Sequence, residues 1–384
     1  MTIYLDNAAT SWPKPECVYQ AVDRYLRENG SSPGRGGHSR ARAAGMIVYE
    51  AREALASLFN ISDPNRISFA GNATDALNTA LFGTLMPGDT VVTTAMEHNA
   101  VVRPLHTLAG LGVTVKTARC DSDGRLDMDD LERLLRLGAK AVVITHASNV
   151  TGTIMPVNGA GQMAKEYGAL LIVDAAQTAG VEEIDAEAMN IDLLAFSGHK
   201  GLLGPQGTGG LYVKQGVAVR PLRYGGTGSL SESEQQPDFM PDMLESGTAN
   251  MPGIAGLLAG VQYIRNLGVG HIRNCEMKLA NQLREGLREI TGVALYGPQS
   301  EHERTAVVSF TLEGLDSSMV SHQLDQEYGI ISRGGLHCAP RAHKTIGTLT
   351  TGTLRLSPGL FNTTDDIERA LKAVRSLARA GGAR

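Results

Sequence analysis

Leu170-Leu171-Ile172-Val173-Asp174 and, further on, Leu193-Leu194-Ala195-Phe196-Ser197-Gly198-His199-Lys200-Gly201 are apolar runs that each lead into a charged side chain. Such short runs, bounded by polar residues or glycine, read as strands buried on both faces, the kind found in parallel sheets. The pattern continues outward. Upstream, Arg66-Ile67-Ser68-Phe69, Asp89 to Thr94, Val113 to Thr117 and Ala141 to His146 alternate with amphipathic segments at Asp75 to Leu85, Asn99 to Leu108, Asp127 to Leu137 and Ala160 to Tyr167. Downstream, Gly209-Gly210-Leu211-Tyr212-Val213 adds a strand. This alternation predicts an α/β domain whose large, mostly parallel sheet is flanked by helices, with ligand residues at the carboxyl ends of the strands.

Beyond the last of these strands the pattern changes. Gly225 to Asp242 is rich in Gly, Ser, Glu, Gln and Pro without periodicity, which predicts a long loop. From Pro252 one helical run is expected to about Ile290. The uncharged stretch Ser246 to Ile264 has membrane-span length but holds four glycines and several polar residues, so its second half reads as a packed helix. There Gly256-x-x-x-Gly260 would let another backbone approach closely. Ala306 to Leu312, Ile330 to Arg333 and Thr353 to Ser357 predict strands of a smaller α+β C-terminal domain, closed by a helix from Thr364 to Arg379. The expected division is a large domain over residues 16–252 and a small one over 253–384, joined by the N-terminal segment 1–15.

Composition narrows the function. With 384 residues, 42% hydrophobic and 20% charged, the chain is an ordinary globular one, and a net charge of −5 leaves no broad footprint for nucleic acid or an anionic membrane. Cys17, Cys120, Cys275 and Cys338 are far apart, so neither a disulfide framework nor a metal site reads out. Asp6 precedes any apolar run of signal-peptide length, and the expected location is the cytoplasm. No phosphate-binding glycine motif of the nucleotide-binding kinds is present, and a small-molecule substrate is expected.

An amine at Lys200 and an acid at Asp174, at the ends of two buried strands, suit pyridoxal phosphate. That cofactor needs a Schiff-base lysine and an acid on its ring nitrogen. Gln177, a helical turn beyond Asp174, is within reach of the ring oxygen. Gly71-Asn72-Ala73-Thr74-Asp75 opens a helix, where backbone N–H groups and the Thr74 hydroxyl favour a phosphate dianion. Ser197 and His199 flank the lysine and would complete that cup. His98, after the strand Thr90 to Thr94, would stack on the ring and shuttle a proton. Taken alone, Asp174 is as well read as a helix cap, and His98 as a structural histidine. Cys338 differs from the other cysteines because Arg333, His337, Arg341 and His343 surround it, and positive neighbours favour a nucleophilic thiolate. Arg355, on a strand, would clamp a substrate carboxylate bidentately.

These residues resemble the cysteine desulfurase and selenocysteine lyase group of the class V aminotransferases. The resemblance runs from Tyr4-Leu5-Asp6-Asn7-Ala8-Ala9-Thr10 through Glu97-His98, Ser148-Asn149-Val150-Thr151-Gly152, Val173-Asp174-Ala175-Ala176-Gln177 and Ser197-Gly198-His199-Lys200 to the cysteine loop and Arg355. It implies the fold type I of pyridoxal phosphate transferases and a homodimer with active sites at the subunit boundary. It also implies that Lys200 carries the cofactor, with Asp174, Gln177 and His98 on its ring and Thr74, Ser197 and His199 on its phosphate. Thr248 would reach the partner subunit's phosphate. Asn149, Arg355 and Arg333 would bind substrate, and Cys338 would carry a persulfide. The implied reaction converts L-cysteine to L-alanine through a ketimine and passes sulfur to an acceptor, such as an iron–sulfur assembly factor. L-selenocysteine is the alternative substrate, and an aminotransferase or epimerase with Cys338 incidental is the alternative activity. Arg333-x-Gly335-x-x-Cys338 resembles the subgroup with a short cysteine loop. Two positions depart from the pattern: Ala73 stands where many relatives carry a hydroxyl, and Leu336 replaces a histidine often found two places before the cysteine.

Overall fold

A computed structural model describes residues 2–34 and 37–382. Its strands are β1 (Ile3–Tyr4), β2 (Ile67–Ala70), β3 (Thr90–Thr94), β4 (Thr114–Ala118), β5 (Ala141–Thr145), β6 (Leu170–Asp174), β7 (Leu193–Ser197), β8 (Gly209–Val213), β9 (Val293–Tyr296), β10 (Val308–Leu312), β11 (Ile330–Ile331), β12 (Arg333–Gly335) and β13 (Thr353–Leu356). Its α-helices are α1 (Glu16–Arg24), α2 (Ser39–Leu58), α3 (Ala73–Thr84), α4 (Asn99–Gly110), α5 (Met128–Leu135), α6 (Val157–Glu166), α7 (Met251–Leu267), α8 (Val269–Arg288), α9 (Ser317–Tyr328), α10 (Pro340–Thr345) and α11 (Thr364–Gly382).

Seven strands form the large sheet in the order β2-β8-β7-β6-β5-β3-β4. Only β8 runs against the rest, pairing antiparallel with both β2 and β7. The central strands β5, β6 and β7 are buried along nearly their whole length, as their unbroken apolar runs require. Their register sets Thr145 beside Asp174, and Asp174 beside Ala195, so the carboxyl ends finish together. A second, antiparallel sheet, β12-β13-β10-β9, is the smaller α+β unit expected at the C-terminal end.

Two expectations change. The helical run after Pro252 is two helices, because Gly268 adopts a φ of 84° and breaks the run between α7 and α8. The expected boundary at 252/253 falls at the start of α7, yet Met251 to Ile264 pack into the large-sheet core together with Ile272. The small-sheet core begins only at Met277 and also takes Ile3 and Leu5 from the N-terminal segment. The apolar division therefore lies inside α8. β1 pairs with β11, which ties residues 3–4 to the small unit.

The glycines of α7 do serve close approach. A Cβ on Gly260 would lie 2.6 Å from the Leu202 carbonyl oxygen, so the helix backbone rests on the turn that follows Lys200. From the other side, a Cβ on Gly201 would lie 2.6 Å from the Ala179 carbonyl oxygen. The lysine turn is thus wedged between a helix and the Asp174 connection, and any side chain at either glycine would move it. Among the described residues no helix is long and apolar enough to cross a membrane.

Candidate active site

One cavity at the carboxyl ends of the central strands is lined by Ala73, Thr74, His98, Asn149, Asp174, Gln177, Ser197, His199 and Lys200. The large sheet therefore collects nine of the thirteen residues expected from sequence. Asn72 also lines it; as N-cap of α3 its side chain accepts from the Asp75 amide at 2.9 Å and its carbonyl from the Ala76 amide. The amides of Ala73 and Thr74 are then the first-turn donors that an anion would meet.

Lys200 ends the β7 connection, with its carbonyl accepting from Ser11 Oγ at 2.8 Å. Burial pushes its amine down to about 8, and Asp174 pulls it back up. Asp174, 4% exposed, accepts from the Ala176 amide, and burial raises its carboxyl despite the Lys200 charge nearby. A cation set against Asp174 would relieve that penalty. His98 caps α4, with Nδ1 accepting from the Ala100 amide at 3.0 Å, which leaves its proton on Nε2. Burial, then Lys200, Arg355 and Arg103, lower it to about 4, so the ring is neutral at pH 7. His199 is likewise lowered to about 4 by burial, Lys200 and Lys14, and its Nδ1 is buried with no partner among the described residues. An orphaned ring nitrogen, free helix-start amides, a depressed amine and a strained acid fit a flat, phosphate-bearing aldehyde such as pyridoxal phosphate.

The cysteine loop joins this cavity through its backbone. Asn149 Nδ2 donates to the His337 carbonyl at 2.7 Å, and the Asn99 amide, next to His98, donates to the Cys338 carbonyl at 2.8 Å. His337 and Cys338 both sit in the left-handed region, at φ 49° and 56°, and the cysteine is exposed. The loop is thus bent to turn its carbonyls inward.

Several expectations need correction. His337 and His343 are not positive neighbours of Cys338: both are buried, and burial drives them to about 2 and about 4, so they are neutral. The His337 ring instead bonds Thr353 through Nε2. Arg355 does not hold its fork free; its Nη2 donates to Asp6 Oδ1 at 2.8 Å and its Nη1 to the Asn149 carbonyl at 2.9 Å. Arg333 donates from Nε to the other oxygen of Asp6 at 3.1 Å. Gln177 is not among these corrections, since it lines the cavity while its Nε2 donates to the Ala8 carbonyl, and Thr248, expected to serve a partner subunit, is exposed outside the cavity of its own chain.

Sequence reasoning missed three residues. Asp6 bridges two arginines. Lys14 Nζ donates to the His199 carbonyl at 2.8 Å and to Ser11 Oγ at 2.7 Å. Glu97 has no exposure; its Oε1 accepts from Thr94 Oγ1 and the Thr145 amide, and its Oε2 has no partner. Burial raises Glu97 to about 8, so it is a neutral acid beneath the cavity at pH 7. An acid between Met96 and His98, at the end of a buried strand, was the available signal.

Comparison with known proteins gives the family and the fold. The family model described as aminotransferase class-V matches residues 3–370. A probable cysteine desulfurase of Methanothermobacter thermautotrophicus is 35% identical over 99% of this chain and 95% of its own length. One from Pyrococcus abyssi is 36% identical, over 98% of this chain and 94% of its own. The apo structure of a cysteine desulfurase from Thermococcus onnurineus superposes with a TM-score of 0.93 at 35% identity, covering 99% of this chain and 95% of that one.

Proposed function

Because this chain belongs to the class V aminotransferase family, and within it to the cysteine desulfurases, we propose that it removes sulfur from L-cysteine, releases L-alanine and holds the sulfur as a Cys338 persulfide. The observation that carries this reading is the join between loop and cavity: the residue next to His98 holds the carbonyl of Cys338, and Asn149 holds that of His337. A thiol used only for packing would be buried, whereas this one is exposed beside a lysine–aspartate cavity.

Pyridoxal phosphate, when bound there, supplies a sink for the electrons left at the substrate Cα. Asp174 would hold the proton of its ring nitrogen, His98 would cover its face, and Gln177 would serve its ring oxygen. The amides of Ala73 and Thr74, with Ser197 and His199, would take the phosphate. Lys200, its amine depressed toward neutrality, is deprotonated often enough to take the substrate Cα proton on Nζ. Asn149, Arg355 and Arg333 would orient the substrate carboxylate, the two arginines exchanging part of their present bonding to Asp6 and to the Asn149 carbonyl for it. His98 Nε2–H is a neutral donor within the cavity. The Cys338 thiolate then attacks the substrate sulfur: the Cys338 S–S bond forms, the substrate C–S bond breaks and leaves its electron pair on Cβ, which takes up one proton from solvent, while Lys200 Nζ returns the proton it took to Cα, and the skeleton leaves as alanine.

The working unit in this reading is a homodimer, because exposed Thr248, outside its own cavity, is free to serve the partner subunit's. The sulfur passes to an acceptor protein, and a reducing compartment such as the cytoplasm suits four free cysteines. The test is mass spectrometry of the cofactor-loaded protein after incubation with L-cysteine, with alanine measured in the same sample. Alanine together with one added sulfur on the Cys338 peptide is the expected result. Neither product, with cofactor bound, overturns it and makes L-selenocysteine the next substrate to try.

A further inference from the structure

Lys14 sits between Pro13 and Pro15, which narrow its backbone, and its amide donates to Tyr19 Oη at 3.0 Å. Its half-buried side chain reaches the backbone that follows β7. Nζ donates to the His199 carbonyl at 2.8 Å and to Ser11 Oγ at 2.7 Å, and Ser11 Oγ in turn donates to the Lys200 carbonyl at 2.8 Å. The Ser11 amide and Thr10 Oγ1 also donate to the His199 carbonyl, at 3.0 and 3.1 Å. Neutral donors therefore already hold this turn, and what Lys14 adds is charge. No carboxylate pairs with it among the described residues, and burial alone lowers its amine, to about 8, so it is mostly charged at pH 7.

The cup beyond that turn lacks such a charge. Among the described residues that line the Lys200 cavity, Lys200 is the one cation and Asp174 offsets it, while His98 and His199 are neutral. Arg223 reaches the first turn of α3 but is paired there with Asp75 at 3.0 Å. A phosphate met only by helix-start amides, a hydroxyl and a neutral imidazole brings an uncompensated dianion into a site whose charges sum to zero. Lys14 stands one hydrogen bond from the backbone of His199, whose side chain belongs to that cup. We propose that Lys14 is a positioning residue for the phosphate: its unpaired ammonium, carried on the His199 carbonyl, offsets part of the dianion and sets the cavity for phosphorylated over unphosphorylated pyridoxal. This rests on the reading above that the cavity takes pyridoxal phosphate. The ammonium acts from behind the His199 peptide and is partly screened by solvent, so the expected preference is about tenfold rather than absolute.

The test titrates the cofactor-free protein with pyridoxal phosphate and, separately, with pyridoxal. Both carry the aldehyde that Lys200 meets, and binding is read from the change in their absorbance. Lys14→Met should weaken the phosphorylated form by about tenfold and leave pyridoxal within about twofold. Lys14→Gln, which can still donate a hydrogen bond but carries no charge, should match Lys14→Met, and Lys14→Arg should keep the wild-type ratio. If both aldehydes weaken equally, Lys14 only braces the turn and the proposal fails. It fails as well if neither changes, or if Lys14→Gln behaves as the wild type. Should Lys14→Met not fold, as judged by its thermal melt, Lys14→Gln against Lys14→Arg still separates charge from hydrogen bonding. A wild type that takes up neither aldehyde would defeat the cofactor reading itself, whereas a wild type that takes up both, with the same ratio in every variant, defeats this proposal alone.

Discussion

The cavity around Lys200 and the loop around Cys338 meet beside His98, yet they are held in opposite ways. Cavity side chains stand on strand ends and helix starts whose backbone bonds are already spent within the large sheet. The loop has two consecutive left-handed residues, and its inward carbonyls are bonded by groups that belong to the cavity wall. One region fixes side chains in place, while the other fixes a backbone and leaves its side chain open to solvent. In the proposed reaction a cofactor needs the first arrangement, and a thiol that receives sulfur and then gives it away needs the second.

Cys338→Ala is the hardest trial of this division. Sulfur removal should fall by about 10³-fold or more, to background, while the cofactor absorbance stays unchanged. A loss of cofactor would show that loop and cavity are a single unit. His98→Ala acts on the cavity side, and its turnover should drop by about 10²-fold with the rate of Cys338 alkylation unaltered. Asn149→Ala cuts the tether and leaves the His337 carbonyl unpaired. Chemical denaturation should register a loss of about 1–3 kcal/mol, and iodoacetamide should label Cys338 faster.

The smallest effects separate the regions by pH. Glu97, raised from 4.5 to about 8, keeps a proton in the folded protein that the unfolded chain has released. Its contribution to stability is complete below about 4.5 and is lost as pH rises toward and through 8. His337 and His343, lowered from 6.5 to about 2 and about 4, stay neutral where the unfolded chain is protonated. Their contribution is complete above 6.5 and is lost as pH falls. Glu97→Gln should therefore flatten the alkaline side of a melting-temperature profile and leave the acid side alone. An unchanged alkaline limb would mean that Glu97 is ionised in the folded protein.

Much of the cavity was readable in the sequence because its residues are punctuation marks of local structure. Lys200 and Asp174 follow apolar runs, Thr74 opens a helix, and His98 follows a strand. The charge state of His337 and His343 was not readable, since it depends on burial by β13 and α10, which no nearby residue encodes. The Arg355–Asp6 pair joins residues 349 positions apart, so nothing near Arg355 in sequence announced it. The two-residue pairing of β1 with β11 is too short to leave a pattern. Gly268 was visible as a breaker, but the apolar stripe on both sides of it favoured one continuous helix.

That separation in sequence has a consequence for how the protein is made. Asn72 to Lys200, and with them the lining of the cavity, come from one contiguous stretch of the large sheet. The Arg355–Asp6 pair needs Asp6 from just past the first strand and Arg355 from the last, so closing it costs the loop entropy of almost the entire chain. A chain emerging from the ribosome can shape the Lys200 cavity while its C-terminal quarter is still unmade, and it closes this ion pair only when its two ends meet.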